Sequence, residues 1–156
     1  IKKIGFNPIN LNKMFSSCEV IYVLATITKK NKHLIDKKLL KGMSKSYEIV
    51  GQLIEKVELK AALQESMRYV SKVNGYLNET EPWKVIKEDE KRAGRILYTA
   101  LEAIDSCANL LYPFMPSTSD LVRSAIPRET ENLWGLNKIK TGVELKEIGL
   151  LFNKFD

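Results

Sequence analysis

Apolar residues recur at three- and four-residue intervals along most of the chain, which is the spacing of amphipathic α-helices. The pattern begins at about residue 11 and stops in the basic cluster 29–32, where cationic side chains suit the end of a helix. Further helices are predicted over about 36–55, 58–77 and 89–111, and a short one over 119–125 after a cap at Ser117 or Thr118. No segment shows the sustained alternation that is typical of a half-buried strand.

Each of the three long helices after residue 35 is predicted to bury one apolar stripe. In the 36–55 helix the stripe is Leu39, Met43, Val50, Leu53 and Ile54. In the 58–77 helix it is Leu59, Leu63, Met67, Val70, Val73 and Leu77. In the 89–111 helix it is Ala93, Ile96, Leu97, Ala100, Ile104, Cys107, Ala108 and Leu111.

Prolines separate these helices. Pro82 disfavours the helical conformation at Glu81, so the chain should break over 78–82. The tail from Pro127 has no helical period and contains the turn-forming pair Trp134-Gly135. The predicted fold is an all-α antiparallel bundle of four to five helices with an irregular C-terminal tail. We expect one domain over 1–156, with a leading segment 1–10, a bundle 11–126 and a tail 127–156 that packs back on the bundle.

Composition restricts the class of protein. With 44% hydrophobic residues in 156, the chain can form a real core. No apolar run approaches the length of a membrane span, and no signal peptide is recognisable, so a cytoplasmic protein without a membrane partner is expected. Cys18 and Cys107 are expected to be buried free thiols, and the single histidine, His33, argues against a metal site.

The formal net charge of +6 favours a polyanionic partner, although lysine-rich surfaces also serve solubility alone. Within this basic chain, the segment 74–84 has an aromatic residue, Trp83, directly after a proline. Because proline fixes the backbone, the indole would be held in place as a platform on which a nucleobase can stack. The alternative is that Trp83 is a core or hinge residue, as most tryptophans are.

Four residues in this segment, Asn74, Tyr76, Pro82 and Trp83, form the pattern N-x-Y-x-x-x-x-x-P-W. This pattern resembles a signature of the anticodon-binding domain of methionyl-tRNA synthetases. The resemblance continues through Leu111-Tyr112-Pro113-Phe114-Met115-Pro116, similar to the family's L-x-P-F-M-P, and through 149–156, similar to its closing P-L-F-x-R-I-D. The resemblance therefore extends over nearly the whole chain.

This resemblance implies that the chain binds the CAU anticodon loop of methionine tRNA, with Trp83 stacking on an anticodon base. The family reads the anticodon with an Asn-x-x-x-Arg pair on its first bundle helix, and the corresponding positions here are Thr26 and Lys30. Thr and Lys keep the spacing but lose both bidentate groups, so cytosine discrimination is weaker here or supplied by another residue. Alternatively, these two residues are solvated helix surface.

Several further residues are candidates for supporting roles. Asn74 and Tyr76 are interpreted as helix-end and packing residues near Trp83. The candidates for phosphate contacts, each of which is otherwise a solvated charge, are Lys29, Lys32, Lys84, Arg92 and Arg95.

No catalytic residues are predicted. The run Met43-Ser44-Lys45-Ser46 resembles the K-M-S-K-S loop of class I synthetases, but it lies in a helical pattern, and no nucleotide-binding strand pattern accompanies it. The resemblance implies that this chain is part of an ATP-dependent methionine–tRNA ligase. ATP and methionine would bind the absent catalytic domain, and this chain itself needs no cofactor or metal. The expected partners are methionine tRNA and that catalytic domain. The alternative is a structural or protein-interaction bundle whose RNA-reading face has decayed.

Overall fold

The computed structural model describes residues 37–149 and 151, and these form an all-α bundle, which confirms the predicted fold class. The helices in chain order are α1 (Lys37–Glu55), α2 (Leu59–Thr80), α3 (Pro82–Val85), α4 (Glu90–Leu111) and α5 (Pro116–Ala125). The described residues contain no strand, only one isolated antiparallel bridge between Arg128 and Ile139. The helix predicted from about residue 11, with Cys18 in it, lies outside the described residues.

An antiparallel hairpin of α1 and α2 forms one side of the bundle. The turn between them is closed by two backbone hydrogen bonds, from Glu58 N–H to Leu53 O at 2.8 Å and from Val57 N–H to Ile54 O at 2.9 Å. This pairing is the Schellman arrangement, with Val57 in the left-handed conformation at φ 61°. Because the hairpin is antiparallel, the beginning of α1 lies beside the second half of α2, where the Tyr69 hydroxyl donates to Leu39 O at 3.2 Å.

The central helix is α4, which is buried from Ala93 to Leu110 except at the half-buried Arg95. Its predicted apolar stripe is buried as expected, apart from the half-buried Leu111. Its polar side is buried as well, although the periodicity predicted that side to be exposed. Glu102, Asp105 and Asn109 are at most 6% exposed. Another part of the chain must therefore cover the polar side of α4.

That cover is the tail after α5. Arg128 Nε donates to Asp105 Oδ1 at 2.5 Å, and Asn137 Nδ2 donates to Asp105 Oδ2 at 2.9 Å. One helical turn further along α4, Asn109 Nδ2 donates to Asn132 O at 3.2 Å. The Tyr47 hydroxyl on α1 lies 3.0 Å from Gly135 O in the tail. An irregular segment is thus fixed to the bundle by polar contacts that α1 and α4 both supply.

The predicted buried face of α2 is partly wrong. Leu59, Leu63 and Met67 are 52%, 37% and 46% exposed. The residues that α2 buries are instead Ala62, Ser66, Tyr69, Val73 and Leu77. Small side chains at the first two of these positions allow α1 to approach closely, and the Ser66 hydroxyl is satisfied by donating to Ala62 O at 3.0 Å.

The start of α5 was also predicted wrongly, since the helix begins at Pro116 rather than near Ser119, and Met115 takes the N-cap position instead of Ser117 or Thr118. Proline suits the first helical position because its missing N–H would have no partner there.

Two further findings concern the described residues as a whole. None of the helices described is both long and apolar enough to cross a membrane. Within 37–149 and 151, no group of three or more His, Cys, Asp or Glu side chains is arranged to hold a metal ion. Cys107 is a buried free thiol, as predicted, and burial raises the pKa of that thiol well above its usual range.

Candidate RNA-binding face

The sharp turn at the end of α2 is built by Glu81 and Pro82. A residue before proline avoids the right-handed helical region, and Glu81 adopts the left-handed conformation at φ 40° and ψ 56°. Its N–H still donates to Leu77 O at 3.0 Å, and the Thr80 hydroxyl donates to Tyr76 O at 2.6 Å. The predicted break at 78–82 therefore narrows to one residue, because α2 continues through Thr80.

Pro82 then starts the one-turn helix α3, which was not predicted. Lys84 N–H and Val85 N–H both donate to Glu81 O, at 2.8 and 3.1 Å. The Pro82 ring is buried, whereas the Trp83 side chain is half-buried. The indole is thus anchored by a short, packed helix and still exposes part of its surface to solvent.

The predicted residues of the signature and the fourth helix lie at one end of the bundle. We call this end, where α2 finishes, α3 lies and α4 begins, the Trp83 end. Asn74 is exposed and Tyr76 is half-buried on the last turns of α2. Arg92 is exposed and Arg95 half-buried on the first turns of α4, whose N-terminus is capped by Asp89 Oδ1 accepting from Arg92 N–H at 2.9 Å.

The Trp83 end is not strongly positive, although three of the predicted phosphate contacts lie there. Lys84 Nζ lies 2.6 Å from Glu81 Oε1 in an exposed ion pair. Residues 79–95 contain five basic and five acidic residues, so this segment has no excess positive charge. The remaining predicted site residues, Thr26, Lys29, Lys30 and Lys32, lie outside the described residues.

A cleft between α1 and α2 opens at the same end, and the sequence interpretation missed it. Its volume is about 400 Å³, and it is lined by Leu39, Gly42, Tyr69, Lys72, Gly75, Tyr76 and Glu79. A side chain added at Gly42 or Gly75 would meet no atom within 4 Å, so the backbone is open to a ligand at both positions. The sequence does contain one signal for this region, since 37–45 holds four lysines and no acidic residue.

The second tryptophan has a different setting. The Trp134 ring meets the Tyr47 ring edge-on, with centroids 5.3 Å apart and planes at 67°, and it lies over Gly51. This contact gives Trp134 a packing role between the tail and α1, although the residue is 41% exposed. Trp134 joins the tail to α1, whereas Trp83 lies on α3 next to the start of α4.

The Met43-Ser44-Lys45-Ser46 run is helical, as predicted. Met43 is fully buried in the core, and the Ser46 hydroxyl donates to Gly42 O at 3.2 Å. Ser44 and Lys45 are exposed on the outer side of α1. A regular helix in this position has none of the loop character of a catalytic signature.

Comparison with known families agrees with this architecture. The family model described as the anticodon binding domain of methionyl tRNA ligase matches residues 26–156, which include every residue that the structure describes. The chain belongs to this family of anticodon-binding domains.

Individual relatives give the same result. The chain is 40% identical over 84 residues to the methionine–tRNA ligase of Roseiflexus sp. (strain RS-1), an alignment covering 54% of this chain and 14% of that protein. It is 38% identical over 113 residues to the enzyme of Bifidobacterium longum (strain NCC 2705), covering 72% and 17%. It is 31% identical over 120 residues to that of Pyrococcus furiosus, covering 77% and 17%. The chain thus spans 14–17% of the length of these relatives.

Proposed function

We propose that this chain is the tRNA-recognition part of a methionine–tRNA ligase and binds the CAU anticodon loop of methionine tRNA by stacking a base on Trp83. It performs recognition without chemistry, and methionine and ATP are handled by a separate catalytic domain. The observation that carries the proposal is a partly exposed Trp83, next to the buried Pro82, in a chain whose family is defined by anticodon binding.

The physics of RNA recognition supports this arrangement. Proteins read RNA sequence mainly in single-stranded loops, where splayed bases expose both a face for stacking and an edge for hydrogen bonding. A rigid aromatic platform contributes roughly 1–3 kcal/mol per stacked base. Pro82 and the left-handed Glu81 fix the backbone under Trp83, so little conformational entropy is lost when a base binds.

The connectivity of the hairpin also supports a composite site. α1 begins at Lys37 beside the second half of α2, at the Trp83 end. Lys30 precedes Lys37 by only seven residues, a contour of at most about 25 Å. Lys30 is therefore within chain reach of the Trp83 end, and Thr26 and Lys30 are proposed as polar contacts to the anticodon bases. We expect Thr26 and Lys30 to discriminate between bases less strongly than the family's Asn/Arg pair does.

Tryptophan fluorescence provides the test, because the chain has only two tryptophans. A stem-loop with the CAU anticodon should quench the wild-type protein and bind more tightly than the same stem with a scrambled loop. Trp83→Ala should remove the quenching and weaken cognate binding by roughly 5- to 150-fold, the equivalent of one stacked base. Trp134→Ala is the matched control, and it should retain both the quenching and the affinity for the cognate loop.

Equal, feeble binding of the two stem-loops would contradict the proposal. That result would favour a bundle that now has a structural or protein-interaction role. Unchanged cognate affinity in Trp83→Ala, with discrimination intact, would show that another residue supports the loop. Circular dichroism of each variant establishes that the helices are retained.

A further inference from the structure

Three exposed lysines lie on the two helices that form the cleft. Lys72 lines the cleft from α2. Lys41 and Lys45 are exposed on α1 and one turn apart, so they project from the same side of that helix, and Lys41 is next to Gly42 in the cleft wall. One of them, Lys45, belongs to the run that resembles a catalytic loop. In the folded chain Met43 of that run is buried and Lys45 is exposed, so Lys45 remains available for another purpose.

These lysines differ in charge balance from other cations nearby. In the part of the chain that the structure describes, none of the three forms an ion pair, whereas Arg68 is held by Glu65 at 2.6 Å and Lys84 by Glu81 at 2.6 Å. The first nine residues of α1 contain no acidic residue. The positive charge at this end of the bundle is therefore concentrated on the hairpin and not on the segment 79–95.

The cleft itself suits a polymer backbone better than a small molecule. It is open to solvent, and Gly42 on α1 and Gly75 on α2 leave one position on each wall without a side chain. Lys72 and Glu79 both line it, two helical turns apart on α2. The carboxylate of Glu79 repels phosphate at the end near Trp83, so phosphates are favoured only from Lys72 onward toward Lys41 and Lys45.

We infer that Lys41, Lys45 and Lys72 form a lysine track that carries the sugar–phosphate backbone of the RNA away from the Trp83 end. Lysine binds phosphate as a point charge and without reading sequence, so the track adds affinity and orientation but no base specificity. This inference rests on the proposed function for the identity of the RNA, an anticodon stem-loop. It assigns the phosphate contacts to α1 and α2 in place of Lys84 and Arg92.

The salt dependence of binding tests the track. Each phosphate contact contributes about 0.7 to the slope of log affinity against log salt concentration for single strands. The triple variant Lys41→Gln, Lys45→Gln, Lys72→Gln should lower that slope by about 2 and weaken binding roughly 10- to 100-fold at 0.1 M salt. Cognate and scrambled loops should lose affinity by the same factor. Measurements use the full 156-residue chain.

A matched variant removes the same charge elsewhere. Lys56→Gln, Lys60→Gln, Lys140→Gln changes three exposed lysines, two of them at the opposite end of the hairpin, and should leave the slope within about 0.5 of the wild type. The inference would be overturned if the track variant kept the wild-type salt slope. It would also be overturned if the matched variant lost as much of that slope as the track variant.

The two proposals fail in different ways. If the wild type discriminates the cognate loop and Trp83→Ala abolishes this while the track variant keeps the wild-type slope, only the lysine track is refuted. If the wild type binds the cognate and scrambled loops equally, and only the track variant has a lower salt slope, the lysine track is supported as an RNA-binding surface. The anticodon proposal is then refuted.

Discussion

Two polar regions of this molecule have opposite environments. On α4, Asp105 and Asn109 are completely buried beneath the tail. On the α1–α2 hairpin, Lys41, Lys45 and Lys72 are exposed to solvent. Both sets lie on the polar sides of amphipathic helices. The difference is that Asp105 and Asn109 form hydrogen bonds with the tail, whereas the three hairpin lysines form no ion pair with a described residue, and Lys72 has only a longer-range attraction to Glu65.

This contrast indicates separate roles for the two regions. Buried polar groups are costly when they lack partners, and in this network Asn109 Oδ1 and Arg128 Nη2 accept or donate no hydrogen bond. The bonds from Arg128 and Asn137 to Asp105 nevertheless specify how the tail packs, so this network should dominate stability. Exposed, unpaired cations contribute little to stability and are available for a polyanion. Substitutions should therefore affect stability in the first region and RNA binding in the second.

The largest expected effect on stability is in the buried network. Asp105→Ala removes the partner of Arg128, whose side chain is 7% exposed, and leaves a buried guanidinium unpaired. Removing one partner of such a pair costs about 3–5 kcal/mol. Urea unfolding monitored by circular dichroism measures the loss. The control is Lys84→Gln, which breaks an exposed pair and should cost at most about 1 kcal/mol. Similar losses in both variants would contradict the proposed division of roles.

The second-largest effect on stability is expected at alkaline pH, where buried tyrosine and cysteine side chains oppose ionisation. Burial raises the pKa of Tyr47, Tyr69 and Cys107, so in the folded state these groups stay protonated at pH values where the unfolded chain ionises. The contribution of each group to the free energy of unfolding is complete below the pKa of that group in the unfolded chain. As the pH rises above that pKa, the contribution is lost at about 1.4 kcal/mol per pH unit for each group. The measurement is the free energy of unfolding in urea between pH 8 and 11.

The Tyr47→Phe variant isolates one of these groups. It cannot ionise, so its free energy of unfolding should fall less steeply above pH 10 than that of the wild type, by about 1.4 kcal/mol per pH unit. It should also be less stable at pH 7 by about 1–3 kcal/mol, because the Ser106 and Gly135 carbonyls lose their hydroxyl partner. Parallel pH profiles for the two proteins would refute this assignment.

The smallest effect is expected at the exposed Trp83 end. Glu81→Gly removes a left-handed non-glycine residue, which relieves about 1 kcal/mol of strain, and breaks the exposed pair with Lys84, which contributes at most about 1 kcal/mol. The variant should be as stable as the wild type or about 0.5 kcal/mol more stable. Comparing the thermal unfolding of Glu81→Gly with that of Lys84→Gln, which breaks only the ion pair, separates the strain from the ion pair. A lower stability than Lys84→Gln would mean that Glu81 has a packing role.

Local sequence signals predicted the helices of the described chain well. The predicted start of α4 at about residue 89 is confirmed, and the structure shows that the side chain of Asp89 is the N-cap. The end of α2 followed from Pro82, because proline restricts the preceding residue whatever surrounds it. The family signature led to Trp83, and the partly exposed position of this residue on α3 is compatible with the stacking role, which remains a prediction.

What periodicity could not provide was the environment of each helix face. It indicated one buried stripe on α2, but the structure buries Ala62 and Ser66 and exposes Leu59 and Met67. The choice between two adjacent faces depends on which one fits α1 and α4, and that depends on the shapes of all three helices.

The amino-acid sequence thus determined the all-α class, the helix limits set by proline and capping residues, the family, and Trp83 as the candidate base platform. These follow from local backbone preferences and from motifs that are contiguous in the chain. Only the tertiary structure decided that the polar side of α4 is covered by the tail, and that Lys72 lines a cleft whose other wall includes Leu39 and Gly42 of α1. Both are contacts between residues far apart in sequence, and such contacts arise only when the helices pack.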